Sequence, residues 1–263
     1  MKTLIDIALH GSGFYKVYEK YLSSQIRKDI SPNHVAIVLD GNRRWAKRHL
    51  YLPKVGHYKG ADRVEELITW CNDLGIKIIT LYALSTENLE RKDGELEYLF
   101  DLIEQRLKKL LSDPTLHKFR MNVKAIGKLD LLPERITSVL RKLEETTFYY
   151  DNIYLNIAIA YGGKTEMVDA VRKVADMVKG GMLEIDDICK DTIESCLYTS
   201  HLPQPEPDMI LRTSGEHRLS GFLIWQSAYS ELVFMDVFWP EFRKIDLMRA
   251  IRTYQRRKRR YGR

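Results

Sequence analysis

Residues 34–48 read HVAIVLDGNRRWAKR. The five successive apolar residues from Val35 to Leu39 offer no polar face for solvent, so they predict a strand covered on both sides. The chain leaves that strand through Asp40, Gly41 and Asn42 and runs into Arg43, Arg44, Trp45, Lys47 and Arg48. A core strand therefore delivers one carboxylate into a group of cations.

Outward from this stretch the same pattern recurs. IKIITLYAL, MNVKAIG, YLNIAIA, DMIL and LVFM are short apolar runs. Helical periodicity over 59–74, 95–111, from Pro133, over 164–179 and from about residue 245 separates or follows them. Such alternation predicts a single α/β domain, a mainly parallel sheet of about six strands flanked by helices and joined by right-handed crossovers. Phe14, Tyr18, Tyr21, Leu22 and Ile26 share one helical stripe, which predicts an amphipathic N-terminal helix. The expected division is an extension over 1–30 and a main domain over 31–263.

The composition, 44% hydrophobic and 30% charged over 263 residues, is that of a soluble globular chain with a sizeable core. Ten Lys or Arg and one acid fall in residues 243–263, so that segment carries the basic excess behind the net charge of +6. Cations gathered at one terminus differ from the charged face of a duplex-binding domain, and no nucleic-acid partner is expected. The run could instead meet anionic lipid headgroups, a peripheral contact with a membrane. Three cysteines without C-x-x-C spacing suggest neither a disulfide framework nor zinc and fit a cytoplasmic location.

Ligands of open parallel sheets bind at the carboxyl ends of strands, so the residues after each strand are the candidate site. They are Asp40 to Arg44, with His57 following a short loop that ends in Gly56; Ser85, Thr86, Glu87 and Asn88, then Arg91; Tyr161 to Lys164; and Arg212 to Ser220, with Arg218 and Leu219 among them. Guanidinium forks, hydroxyls, amides and glycines with a few carboxylates are the chemistry that holds phosphate oxygens and a metal. Neither a G-x-x-x-x-G-K-[ST] loop nor a G-x-G-x-x-G turn follows a strand, and no Ser sits in a G-x-S-x-G elbow. The pattern points to a diphosphate that is not an ordinary nucleotide. Asp186, Asp187 and Asp191 are read as the start of a short solvated helix.

HVAIVLDGNRRWA, GHYKGA, TLYALSTEN, NIAIAYGG, DMILRTSGEHRLSGFLIWQSAYSELVF and the terminal RYG together resemble the successive motifs of the cis-prenyltransferases, the undecaprenyl diphosphate synthase-like enzymes, over about residues 33–263. Arg43 in place of glycine matches archaeal and eukaryotic members. The resemblance implies condensation of isopentenyl diphosphate with an allylic prenyl diphosphate, with Mg2+, to form a Z-polyprenyl diphosphate and release diphosphate. It implies that Asp40 and Glu231 hold the metal, and that Gly41, Asn42, Arg43 and Arg44 cradle the allylic diphosphate. His57, Ser85 and Asn88 would lie near the reacting carbons; Arg212, Arg218 and Ser220 would bind the isopentenyl diphosphate. Trp45 and Tyr82 could shield the reacting carbons, and Ala61 and Ala83 would leave room at the mouth of an apolar cleft. Arg260 and Gly262, in the R-x-G tail, would serve a homodimer. Pro53, Leu84, Leu89, Lys92 and Ala160 depart from the common pattern and leave primer choice open. Two alternatives remain at this point, a non-catalytic partner subunit and a member using a non-prenyl acceptor.

Overall fold

The computed structural model describes residues 14–26, 31–90 and 94–257. Expectations for Arg91, Lys92, Arg260, Tyr261 and Gly262 lie outside the described residues.

The six apolar runs are the six strands: β1 His34–Val38, β2 Ile78–Ser85, β3 Met121–Ile126, β4 Ile153–Tyr161, β5 Met209–Arg212 and β6 Glu231–Phe234. They form one sheet of order β3-β4-β2-β1-β5-β6, and each adjacent pair is parallel. Every residue of β1 is buried, because the sheet is covered on both faces. Val35 and Ile37 point into the larger core, Ala36 and Val38 into the smaller one opposite, as a period of two requires.

The helices are α1 Phe14–Gln25, α2 Asn42–Arg48, α3 Pro53–Asp73, α4 Glu95–Ser112, α5 Pro114–Lys118, α6 Glu134–Thr147, α7 Gly163–Lys179, α8 Lys190–Cys196 and α9 Lys244–Arg256. α1 docks through Leu22 on Ile245 and Met248 of α9. Two boundaries differ from expectation. α2 is an unforeseen helix, and α3 begins at Pro53, so Gly56 and His57 lie in its opening turns and not at the end of a loop. Proline suits the first helical turn. Gly56 and Gly60 hide the periodicity there because α2 packs so closely: a Cβ at Gly56 would strike the Asn42 carbonyl, and one at Gly60 the Asn42 Oδ1. The acidic stretch forms a 3-10 turn, Ile185–Asp187, followed by α8.

From β1 the chain moves to β2 on one side, whereas β5 pairs on the other. The crevice between such oppositely directed connections is where an open α/β sheet receives ligands, and the ends of β1 and β5 flank it.

Candidate active site

Asp40 follows β1 and Arg212 ends β5. The parallel register aligns Val38 with Arg212, which brings the two side chains together: Arg212 donates to Asp40 Oδ2 at 2.8 Å. Arg44, in the first turn of α2, donates to Asp40 Oδ1 at 3.0 Å and to Ser214 Oγ at 2.6 Å. Gly41 makes this possible with φ of 103°, in the region that favours glycine. The backbone is pinned as well, since the Thr213 hydroxyl donates to the Asp40 carbonyl at 2.7 Å and the Trp239 amide donates to the same oxygen at 3.0 Å.

Burial pushes the Asp40 carboxyl up, but hydrogen bonds from Arg212 and Arg44 outweigh it and hold the group below the usual carboxylate range. The guanidinium of Arg212 is buried and also donates to Ser220 Oγ at 2.9 Å and to the Arg218 carbonyl. Its Nε and the Asn42 Oδ1 are buried with no hydrogen-bond partner. A single ionised carboxylate amid arginines fits a hard cation only if phosphate oxygens and water would fill its other positions, the way Mg2+ is usually held. Among the described residues no group of three or more His, Cys, Asp or Glu forms a ready-made metal cage.

On the other wall, His57 Nε2 lies 3.2 Å from Glu95 Oε1, and Arg43 lies 3.6 Å from Glu95 Oε2. Glu95 is almost buried at the start of α4. It draws the imidazole and a guanidinium to one carboxylate, a contact not foreseen from the sequence. Ser85 and Asn88 cap one another around the 3-10 turn Thr86–Glu90: the Ser85 amide donates to Asn88 Oδ1 at 3.2 Å and the Asn88 amide to Ser85 Oγ at 3.3 Å. Thr86, Glu87, Gly162, Gly163 and Ser220 line the same opening.

Together with this polar mouth, a cleft running between the sheet and helices α3 and α4 encloses ≈ 1260 Å³. Val64, Leu81, Leu84, Leu102, Ile103 and Ile157 are among its apolar walls, and Ala61 and Ala83 face it. Farther along the helices, Arg106 reaches Asp62 at 2.6 Å and Glu65 at 3.0 Å, while Lys109 reaches Glu65 at 2.6 Å. These ion pairs clasp α3 to α4 at the cleft wall.

Several expected positions differ. Trp45 is turned from the cleft, donating to Glu241 Oε1 at 3.1 Å and packing on His49 and Tyr51. Tyr82 does line the cleft, stacked on Phe222 at 4.6 Å, and burial pushes its hydroxyl up to about 12. Leu219 packs into the smaller core, and the Arg218 guanidinium is exposed and paired with Glu216. Glu231 does not share a site with Asp40 within the chain. It begins β6 opposite Met209, so the parallel register leaves it at the far end of the sheet, where it accepts from Arg257 at 2.9 Å.

A doubly covered parallel sheet whose switch point carries an arginine-held carboxylate over a long apolar cleft defines a protein for amphiphilic anions. The family model described as putative undecaprenyl diphosphate synthase matches residues 38–262, and the chain belongs to that prenyltransferase family. It is 49% identical over 254 residues to the tritrans,polycis-undecaprenyl-diphosphate synthase (geranylgeranyl-diphosphate specific) of Methanocaldococcus jannaschii, covering 97% of this chain and 91% of the relative. It is 51% identical to the protein of the same name from Methanopyrus kandleri, over 95% of this chain and 91% of that one. Lavandulyl diphosphate synthase from Lavandula x intermedia, solved with dimethylallyl diphosphate, superposes with a TM-score of 0.84 at 34% identity, covering 89% of this chain and all (100%) of that one.

Proposed function

We propose that this enzyme condenses isopentenyl diphosphate onto an allylic diphosphate to build a Z-polyprenyl diphosphate, with Mg2+ and with a primer of the geranylgeranyl class named for its relatives. The observation that carries the reading is the Asp40–Arg44–Arg212 cluster at the mouth of the apolar cleft. It pairs a diphosphate site with room for a hydrocarbon chain.

The allylic C1–O bond breaks, the isopentenyl C4 forms a new bond to C1, and the departing diphosphate takes the proton lost from C2. Negative charge grows on the leaving group, so donors preset around it stabilise the transition state more than the ground state. Arg43 and Arg44 suit that role, and Asp40 would hold Mg2+, which when bound neutralises phosphate charge. Arg212 and Ser220 suit the second diphosphate. Apolar walls keep water from the cationic allyl fragment.

β6 is an edge strand, and with Glu231 at its start and Ser230 just before, it supports a homodimer in which Glu231 and the R-x-G tail would serve a second copy. The free cysteines Cys71, Cys189 and Cys196 support a cytoplasmic location. Among the described residues no helix is long and apolar enough to cross a membrane.

Incubating the purified protein with labelled isopentenyl diphosphate, Mg2+ and dimethylallyl, farnesyl or geranylgeranyl diphosphate tests the reading. Incorporation with release of diphosphate is expected; none with any primer sinks it, as for a partner subunit without activity. Ala83→Leu inserts bulk into the cleft and is expected to shorten the products seen by mass spectrometry while initial incorporation persists. An unchanged length would mean that the chain grows elsewhere.

A further inference from the structure

The turn joining α2 to α3 places a leucine where a glycine is customary. The Leu50 amide donates to the Lys47 carbonyl and the Tyr51 amide to the Ala46 carbonyl, at 3.2 and 2.8 Å, the paired bonds of a Schellman cap. Leu50 sits at its left-handed position with φ of 58° and is 94% exposed. A branched apolar side chain there is strained and gains nothing from the core. Leu52 beside it is 64% exposed and Tyr51 54%. The Tyr51 ring stacks on His49, and Trp45 packs tilted against both, which ties the turn to α2.

A basic collar surrounds this apolar tip. Residues 41–61 hold six Lys or Arg and no Asp or Glu. Among the described residues Lys47, Arg48, Lys54 and Lys59 are exposed, and no ion pair engages them. The acid beneath the turn, Glu241, is taken by Trp45 and His49. Tyr51 and Pro53 also line the mouth of the cleft.

We propose that this lip, residues 48–59, docks on a bilayer rich in anionic lipid, with Leu50 and Leu52 entering the headgroup–acyl boundary and the collar meeting the phosphates. The charge complementarity selects this occupant: a protein partner would need an acidic face and a second copy of this chain would oppose cation to cation. The docking stands on geometry, while its use, opening the cleft at the surface where a polyprenyl product belongs, rests on the proposed function.

Sedimentation of the full chain with vesicles of phosphatidylglycerol and phosphatidylcholine, against phosphatidylcholine alone, tests it. The wild type is expected to bind the anionic vesicles and to release them at high salt. Leu50→Ser with Leu52→Ser should weaken binding about tenfold or more. Arg48→Glu with Lys59→Glu should abolish the preference for phosphatidylglycerol. Leu50→Gly separates docking from folding, since glycine suits the left-handed position: the variant should be at least as stable as the wild type, yet bind less. Removing residues 258–263 should leave much of the preference. No vesicle binding by the wild type, equal binding by all lip variants, or binding lost only with the terminal residues would each overturn the proposal. Isopentenyl diphosphate incorporation, measured in parallel without vesicles, should be unchanged in the Leu50 and Leu52 variants. Absent incorporation by the wild type would instead count against the proposed function and leave the vesicle result standing.

Discussion

Asp40→Ala is expected to lower incorporation of isopentenyl diphosphate by about a thousandfold or more, the scale on which preorganised charge contributes to catalysis. The carboxylate has two duties in this structure, and the substitution separates them. It offers the ionised oxygens suited to Mg2+, and it neutralises Arg212, whose guanidinium is buried. Alanine also leaves that cation short of a partner, which in a buried setting costs about 3–5 kcal/mol, so Asp40→Ala should still fold but melt earlier. Asp40→Asn keeps the shape and an acceptor for Arg212 while losing the charge; it should recover part of the stability and little of the activity. Turnover near the wild-type rate in either variant would overturn the mechanism. Circular dichroism and a thermal melt report the fold alongside.

The second large effect is on stability. His34 lies fully buried in β1, with Nε2 2.8 Å from Thr80 Oγ1 and Nδ1 3.0 Å from the Gln204 carbonyl. Asn156 joins Thr80 to His201, whose Nε2 is 2.9 Å from Asn156 Oδ1. Burial lowers both imidazoles from 6.5 to about 4; the Gln204 carbonyl and Asp208 oppose this at His34, and Lys124 adds to it at His201. The unfolded chain therefore takes up protons that the folded chain refuses between those values. Stability is complete above about pH 6.5 and falls as the pH drops toward 4, by about 3 kcal/mol for His34 alone. Asp40, being lowered, weakens the fold only in more acidic solution. Urea unfolding between pH 7.5 and 4.5 should show the decline, and His34→Gln should flatten it. An equal slope in that variant would mean that other groups set the acid limit.

The sheet was legible because each strand is a short apolar run bounded by a polar end, and continuous burial leaves no other use for such a run. α2 was not, since seven residues dominated by cations carry no apolar stripe, and its close fit of Asn42 on Gly56 and Gly60 exists only in the folded chain. Asp40, Arg44 and Arg212 could be nominated because strand ends converge in a parallel sheet. Glu95 could not, because it opens a helix, and its pairing with His57 depends on how α3 and α4 lie together. Where Trp45 and Glu231 lie within the chain was hidden for related reasons. Helical phase turns Trp45 toward Glu241, and strand register carries Glu231 to the opposite end of the sheet.

The clasp between α3 and α4 gives the cleft wall a particular mechanical character. The apolar part of its lining, such as Leu81, Leu84, Leu102 and Ile157, is held by packing that salt does not screen. At Asp62, Glu65, Arg106 and Lys109 the joint is made of partly exposed charges, which dissolved ions screen over about 10 Å at 0.1 M. One seam of the cleft thus responds to dissolved ions while the apolar contacts beside it, Leu67 and Ile68 of α3 with Leu99 and Leu107 of α4 in the larger core, do not.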